Sequence, residues 1–465
     1  MPHIRVLRHY IHTPYLVFAG LETLLIAAGA VAGYYTVHEA WPSPTYLPIA
    51  LTFAVVLVFS MAAMGVYESR VREGFMGMTL RTAVAIFLIG TMLIALLSYL
   101  FPVIAMERAV LLFAVLETFV IVVVIRWIAF QFISEDALKS RIVVLGAGQR
   151  ALKIATRMRR KSDRRAFILL GFIDLGSDNV AVRDHNATVL PRPDELLAFC
   201  VEQRVDEIVV AVDASDEAIM PVNELVDCRL SGVDVCDVQE FFEREACKLD
   251  VDILRPSWLA FSDGFVTSRW RNVTKRLFDI IVSIFMLIVT SPIMIITAVL
   301  VLLEHRFQHS VLYRQQRVGL NDSEFRVFKF RSMRPDVADD DTEFATYNDP
   351  RVTRVGRFIR KTRIDELPQL LNVLRGEMSF VGPRPEQPVH VDRFALEIPY
   401  YDQRHRIKPG ITGWAQLCYP YGTSVADAKE KLQYDLYYLK NQSLFLDLVI
   451  LLQTVEVVLI GEGAR

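Results

Sequence analysis

With 465 residues, 53% of them hydrophobic and 22% charged, the chain is too apolar for an ordinary soluble protein and too charged for one wholly embedded in lipid. A formal net charge of -2 gives no global basic field, which excludes nucleic acid as a partner and confines any anion site to a local cluster. The five cysteines (Cys200, Cys228, Cys236, Cys247 and Cys418) show no C-x-x-C pair or regular spacing, which excludes a zinc or disulfide frame and leaves reduced cytosolic thiols as the expectation.

Four apolar stretches of spanning length come first, at 15–34, 46–64, 80–101 and 110–130, and predict a four-helix transmembrane region over 1–135. The first lacks a small-residue cleavage site, so it is expected to remain as an anchor. Arg5 and Arg8 precede it, Arg70, Arg72 and Arg81 lie between the second and third stretches, and Lys139 and Arg141 follow the fourth. By the positive-inside rule, both ends of this bundle face the cytoplasm.

A soluble α/β pattern follows over 136–265. RIVVLGAGQRALKIATRM reads as strand, glycine-rich turn and helix, with further strands in FILLGFID and EIVVAV, a Rossmann-like layout. Gly146, Gly148 and Ala151 match G-x-G-x-x-A, and Asp174 ends a second strand at a plausible ribose position, so a nucleotide site is one reading. A nucleotide-sugar dehydratase or epimerase would be the alternative function. Residues 141–270 hold no tyrosine for a Tyr-x-x-x-Lys base, so NAD chemistry is not expected and a scaffold for dimerisation or regulation is.

The third region, 271–465, opens on an apolar run over 278–303 interrupted by Ser291-Pro292. Length alone permits a kinked spanning helix. A crossing here would carry everything after it out of the cytoplasm, whereas Pro292 must bend a helix and both flanks are basic, so a re-entrant helix-break-helix is expected. The stretch 443–460 carries Asp447 and Glu456 and reads as a packed or interfacial helix. His305 and His309 share a helical spacing but have no third ligand nearby, so headgroup-level histidines are expected rather than zinc.

Charge concentrates in DPRVTRVGRFIRKTRIDELPQLLNVLRGEMSFVGPRPE, 349–386. Asp365 and Glu366 precede Pro368 and a helical apolar pattern, so they are expected on the opening turn of a helix, where a plain cap is one reading. The arginines at 351, 354, 357, 360 and 363, with Arg384 in a tight GPRPE turn, favour a divalent-metal and diphosphate site instead. EFRVFKFRSM alternates apolar residues with Arg326, Lys329 and Arg331, which predicts a strand projecting basic groups from one face. KPGITGWAQL reads as a packed loop around Trp414.

KRLFD, the Ser291-Pro292 break, YRQQRVG, FKFRSM, RKTRIDELPQLLNVLRGEMSFVGPRPE and PGITGW, in this order, resemble the polyprenyl-phosphate hexose-1-phosphate transferases, the monotopic phosphoglycosyl transferases. The whole layout is similar to the large, exopolysaccharide-type members of that family. The resemblance implies a mixed α/β catalytic domain at the cytoplasmic membrane surface that passes a hexose-1-phosphate from a UDP-sugar to undecaprenyl phosphate; a homodimer is the assembly expected of the Rossmann-like scaffold. It implies Asp365 as the nucleophile that expels UMP and forms a phosphosugar intermediate, with Glu366 on Mg²⁺. Lys329, Arg360 and Arg384 are implied as phosphate-binding groups, and Arg331 and Arg363, in the same basic clusters, are further phosphate-binding candidates on their charge. Two departures stand out: Arg363 where many members have serine, and His309-Ser310 where the family has Gly-Pro. No single residue reads out which hexose is carried.

Overall fold

Backbone inside a bilayer must satisfy its polar groups within the segment, and the four N-terminal apolar runs do so as helices. The computed structural model describes residues 3–6, 9–64, 66–67, 75–132, 139–158, 167–176, 181–185, 187–254, 256–265, 269–306, 308–334, 351–419, 422 and 424–460. Two units form: Met1–Val6 with Tyr10–Ala246, and Leu7–His9 with Cys247–Arg465.

In the first unit the helices are Thr13–His38, Leu47–Ala63, Phe75–Leu100 with a π turn at Ala85–Gly90, and Arg108–Phe132. All four runs are long and apolar enough to cross a membrane, and this is a membrane protein. The first helix packs on the second and fourth. At Gly33 a Cβ would lie 2.6 Å from Ala114 N, so this glycine is what lets the two backbones approach.

One feature of the bundle escapes hydropathy. Glu22 and Arg126 are both buried, and Arg126 Nε and Nη2 each donate to a Glu22 carboxylate oxygen at 2.7 Å. Arg126 Nη1 also donates to Thr82 Oγ1 at 2.5 Å, and the Tyr67 hydroxyl donates to Glu22. Breaking a buried pair strands a charge, so Arg126→Met is expected to cost about 3–5 kcal/mol, read as a lowered melting temperature in detergent. Adding Glu22→Gln should recover most of that loss. A single variant that melts with the parent would show the pair to be solvated.

The same unit carries a five-stranded parallel sheet in the order Val189–Leu190, Phe167–Ile173, Ser140–Leu145, Glu207–Val210, Asp234–Asp237. By chain position this is 3-2-1-4-5, a doubly wound order whose direction reverses between the first and fourth strands. Ile142, Val143 and Val144 have no exposed surface, as expected of a central strand covered on both faces. The segment 247–265, assigned from sequence to this α/β region, packs in the second unit instead: Leu249 N donates to Gln433 O, and Trp414 Nε1 donates to Cys247 O at 2.9 Å. Apolar pattern alone did not mark that boundary. All five cysteines are free thiols, four of them buried.

The second unit is built on a 36-residue helix, Arg269–Glu304. It runs unbroken through Pro292, where a helix-break-helix was expected. Proline cannot donate to the carbonyl four residues back, and Ser291 Oγ donates to that carbonyl, Ile288 O, at 2.8 Å. The serine thus relieves the cost of the proline, and the helix continues.

Both ends of this helix are fastened to one α/β body. Near its start, Lys275 Nζ donates to Asp447 Oδ2 at 2.7 Å and to Val381 O at 3.1 Å. Arg276 donates to Val373 O and Leu374 O, and Asp279 Oδ1 accepts from Ser379 Oγ and Phe380 N, both at 3.0 Å. Near its end, Val301 packs with Phe330 and Ile359, and Glu304 Oε1 accepts the backbone N–H groups of Arg354 and Val355. Between these anchors Ile281, Phe285, Ile288, Ile295, Ile296 and Val299 are exposed.

The body holds an antiparallel hairpin, Leu312–Val318 with Glu324–Phe330, and a parallel pair, Ser379–Val381 with Gly410–Thr412. Helices Pro388–Glu397, Val425–Asn441 and Leu444–Ile460 surround a core of Leu432, Leu436, Tyr437, Tyr438, Trp414 and Phe394. The last helix is packed, with Leu446 and Ile450 fully buried. Trp414 is a core residue, as its loop pattern implied.

Candidate active site

Asp365 and Glu366 lie on a short 3₁₀ turn, Ile364–Gln369, that leads into the helix Leu370–Arg375. Sequence placed them on the first turn of a longer helix. Pro368 and the left-handed Arg363, at φ 58°, hold the tighter turn instead. A turn this short supplies little dipole, so the local field comes from cations.

Those cations are specific. Glu366 Oε1 accepts from Lys329 Nζ at 3.0 Å and from Arg384 Nη2 at 2.8 Å. Burial opposes the charged form of Glu366, yet Arg384 and Lys329 hold its carboxyl well below the usual carboxylate range. Asp365 has the opposite environment: burial first, then the adjacent Glu366 charge, push it up to about 6, with Lys329, Arg360 and Arg363 pulling the other way. Asp365 is only 8% exposed, and its Oδ1 is buried without a hydrogen-bond partner. A buried carboxylate oxygen left unpaired is costly unless something else binds it.

The predicted cations therefore divide into groups. Lys329 and Arg384 touch the dyad, while Arg360 and Arg363 act on it through their charge. Arg331 points elsewhere: its Nε donates to Ser310 O at 2.9 Å and its guanidinium covers the Tyr313 ring. Arg354 and Arg357 are exposed on the helix Arg354–Lys361, and 335–350 lie outside the described residues. The strand Glu324–Phe330 corrects the one-face expectation. Strand period two puts Arg326 opposite to Lys329, and Val327 and Phe328 are both buried, the latter beneath Arg314 and Arg375.

Several residues that build the site stood in recognisable strings but had no role assigned from sequence. Asn372, fully buried, accepts from Phe328 N at 3.0 Å and donates to Arg326 O at 2.8 Å, so its amide ties the strand bearing Lys329 to the helix behind the dyad. Lys275, Arg276 and Asp279 turn KRLFD from a recognisable string into a clamp on the body. These partners are 44 to 172 residues apart, beyond any periodicity argument.

The donor set suits a hard divalent cation such as Mg²⁺. That ion takes one or two carboxylates and completes its shell with water and substrate phosphates, and the unpaired Asp365 Oδ1 beside Glu366 offers such an edge. Among the described residues no group of three or more ligating side chains occurs, so a cage made wholly of protein is not built here. His305 and His309 lie with ring centroids 5.7 Å apart and belong to no such group.

A family model described as bacterial sugar transferase matches residues 270–461, covering the long helix, the hairpin and the dyad. Over 352 residues the chain is 30% identical to the UDP-galactose-lipid carrier transferase of Erwinia amylovora, spanning 70% of this chain and 69% of that one. The chain belongs to the family of polyprenyl-phosphate sugar-1-phosphate transferases. It is 40% identical over 262 residues to the UDP-N-acetylgalactosamine-undecaprenyl-phosphate N-acetylgalactosaminephosphotransferase of Aeromonas hydrophila, covering 56% of this chain and 61% of that one. It is 34% identical over 331 residues to the undecaprenyl-phosphate glucose phosphotransferase of Komagataeibacter xylinus, covering 69% and 59%. The matches thus span about three fifths of those two relatives.

In this family member a second model, described as a CoA-binding domain, matches residues 62–234. The glycine turn there has its own internal anion. Asp213 Oδ2 accepts from Gln149 N at 2.7 Å, and Asp213 Oδ1 accepts from Arg150 N at 2.9 Å, at the start of the helix Gln149–Arg157. Gly146 sits at φ 112°, and a Cβ on Gly148 would lie 2.1 Å from Asp213 Oδ2. Asp174 Oδ1 accepts from Gly176 N, closing its own turn.

Proposed function

We propose that the protein transfers a hexose-1-phosphate from a UDP-sugar to undecaprenyl phosphate, releasing UMP, and so starts a lipid-linked polysaccharide repeat. The observation that carries this is the buried, unpartnered Asp365 oxygen beside a Glu366 gripped by Lys329 and Arg384. Asp365 attacks the sugar-bearing phosphorus, the bond to UMP breaks, and a phosphosugar–Asp365 mixed anhydride forms. An oxygen of undecaprenyl phosphate then attacks the same phosphorus, and the Asp365 carboxylate leaves. Lys329 and Arg384 neutralise charge on the transferring group, with Arg360 and Arg363 as further phosphate partners. Arg331 can join them only by releasing Ser310. Mg²⁺ on Asp365 and Glu366 would screen the diphosphate from the incoming carboxylate.

Membrane placement is part of the proposal. The helix Arg269–Glu304 is about 54 Å long at 1.5 Å per residue, enough to span, yet both its ends bond to the same body. A dip into the cytoplasmic leaflet with a bend near Ser291-Pro292 meets both facts, and leaves the dyad where a soluble nucleotide meets a lipid phosphate. The four preceding helices anchor the chain in the bacterial inner membrane with the site on the cytoplasmic side. The α/β domain serves as a scaffold for a homodimer, a role that fits a glycine turn already holding Asp213.

The relatives' names differ in the sugar, so the test is a screen. Purified protein in nanodiscs is given UDP-glucose, UDP-galactose or UDP-N-acetylgalactosamine with undecaprenyl phosphate and Mg²⁺. UMP should appear with at least one donor and vanish with EDTA. Absence of UMP across UDP-hexoses would remove the reading.

A further inference from the structure

The side chain of Arg384 reaches Glu366 from the turn Gly382–Glu386, and this turn is held by its backbone. Four successive carbonyls each have a separate donor: Pro383 O from Gly410 N at 2.9 Å, Arg384 O from Arg404 Nη2 at 2.9 Å, Pro385 O from Arg317 Nη1 at 3.1 Å and Glu386 O from Val318 N at 2.9 Å. Three of these donors are what ordinary loop packing supplies. Arg404 is different, because it is a buried cation, 6% exposed, held by a buried anion: its Nη2 lies 3.0 Å from Asp435 Oδ2, and Asp435 is 2% exposed. Nη1 donates to the Tyr401 hydroxyl at 2.6 Å.

A buried ion pair contributes little net stability compared with a well-packed apolar pair of the same volume. This one ends at the backbone oxygen of the residue that grips the dyad. The line Asp435, Arg404, Arg384, Glu366 runs without a gap from the helix Val425–Asn441 to the 3₁₀ turn of the active site.

We propose that Arg404, fixed by Asp435 and Tyr401, is a positioning residue for the transfer reaction, which sets the Arg384 guanidinium against Glu366 and the substrate phosphate. The proposal rests on the phosphotransferase reading above. Arg404 touches no reacting atom and acts only through Arg384. Lysine in its place keeps the charge beside Asp435 but cannot donate to both the Tyr401 hydroxyl and the Arg384 carbonyl from one planar group. A displacement of about 1 Å at a group that aligns substrate costs up to about a hundredfold in rate.

The experiment is a double-mutant cycle on UMP release, using whichever of the three UDP-sugars turns over, with melting temperature followed in parallel. Arg404→Lys should lower kcat/KM by about ten- to a hundredfold. In an Arg384→Ala background the same change should cost less than about twofold, because the group it positions is gone. Tyr401→Phe, which removes one hydroxyl contact, is a milder second perturbation and should show the same dependence on Arg384. Equal losses in the two backgrounds, or parental turnover by Arg404→Lys, would overturn the assignment. Failure of the underlying reading looks different: the parent protein would then release no UMP from any of the UDP-hexoses.

Discussion

Asp365→Asn should lower UMP release by at least about 10⁴-fold, the scale on which loss of a covalent nucleophile is read. The substitution keeps the volume of the side chain and replaces a carboxylate oxygen with an amide oxygen that is a far weaker nucleophile. It also removes a negative charge that burial and the adjacent Glu366 disfavour, so folding should suffer little. Without acceptor lipid, the parent protein should release at most one UMP per active site and gain the mass of one hexose phosphate. The Asp365→Asn variant should show neither. Normal turnover by this variant would sink the covalent route, whatever the identity of the sugar.

Glu366→Gln is expected to be nearly as severe, at about 10²- to 10³-fold. Its physical basis differs from that of the first variant. Lys329 and Arg384 converge on one carboxylate oxygen, and glutamine offers them only a neutral amide oxygen, without the negative charge that holds them. Both cations then lose the anion that keeps them in place before the substrate arrives. Added Mg²⁺ should not restore the rate, because the charge that grips the cations stays missing. Parental kcat in the Glu366→Gln variant would mean that the Lys329 and Arg384 contacts are incidental.

The parts of this molecule legible in sequence are those whose cause is local. The membrane helices follow from runs of apolar residues, and the dyad stood out because arginines crowd a few turns of chain. A helix break was expected at Pro292, but the bond from Ser291 Oγ to Ile288 O is a one-bond detail no pattern shows, and the helix runs on unbroken. The strand bearing Lys329 was misread because two successive apolar residues are buried, one of them under arginines from elsewhere in the fold. Glu22 with Arg126, Asn372 with the Lys329 strand and Arg404 with Asp435 all join residues 31 to 104 positions apart. No pattern within one element predicts which distant charge will answer another.

The glycine turn at 146–148 has a consequence for anyone mapping this protein by substitution. Gly148 is required because a side chain there would collide with Asp213, and Asp213 caps two N–H groups at a helix start. A saturation scan would therefore return intolerance at Gly146, Gly148 and Asp213 together, the same fingerprint that a cofactor site leaves. In this chain that fingerprint has sufficient causes inside the fold: the Asp213 carboxylate at Gly148, and at Gly146 a φ of 112° with Ala211 O at 2.7 Å from where a Cβ would lie.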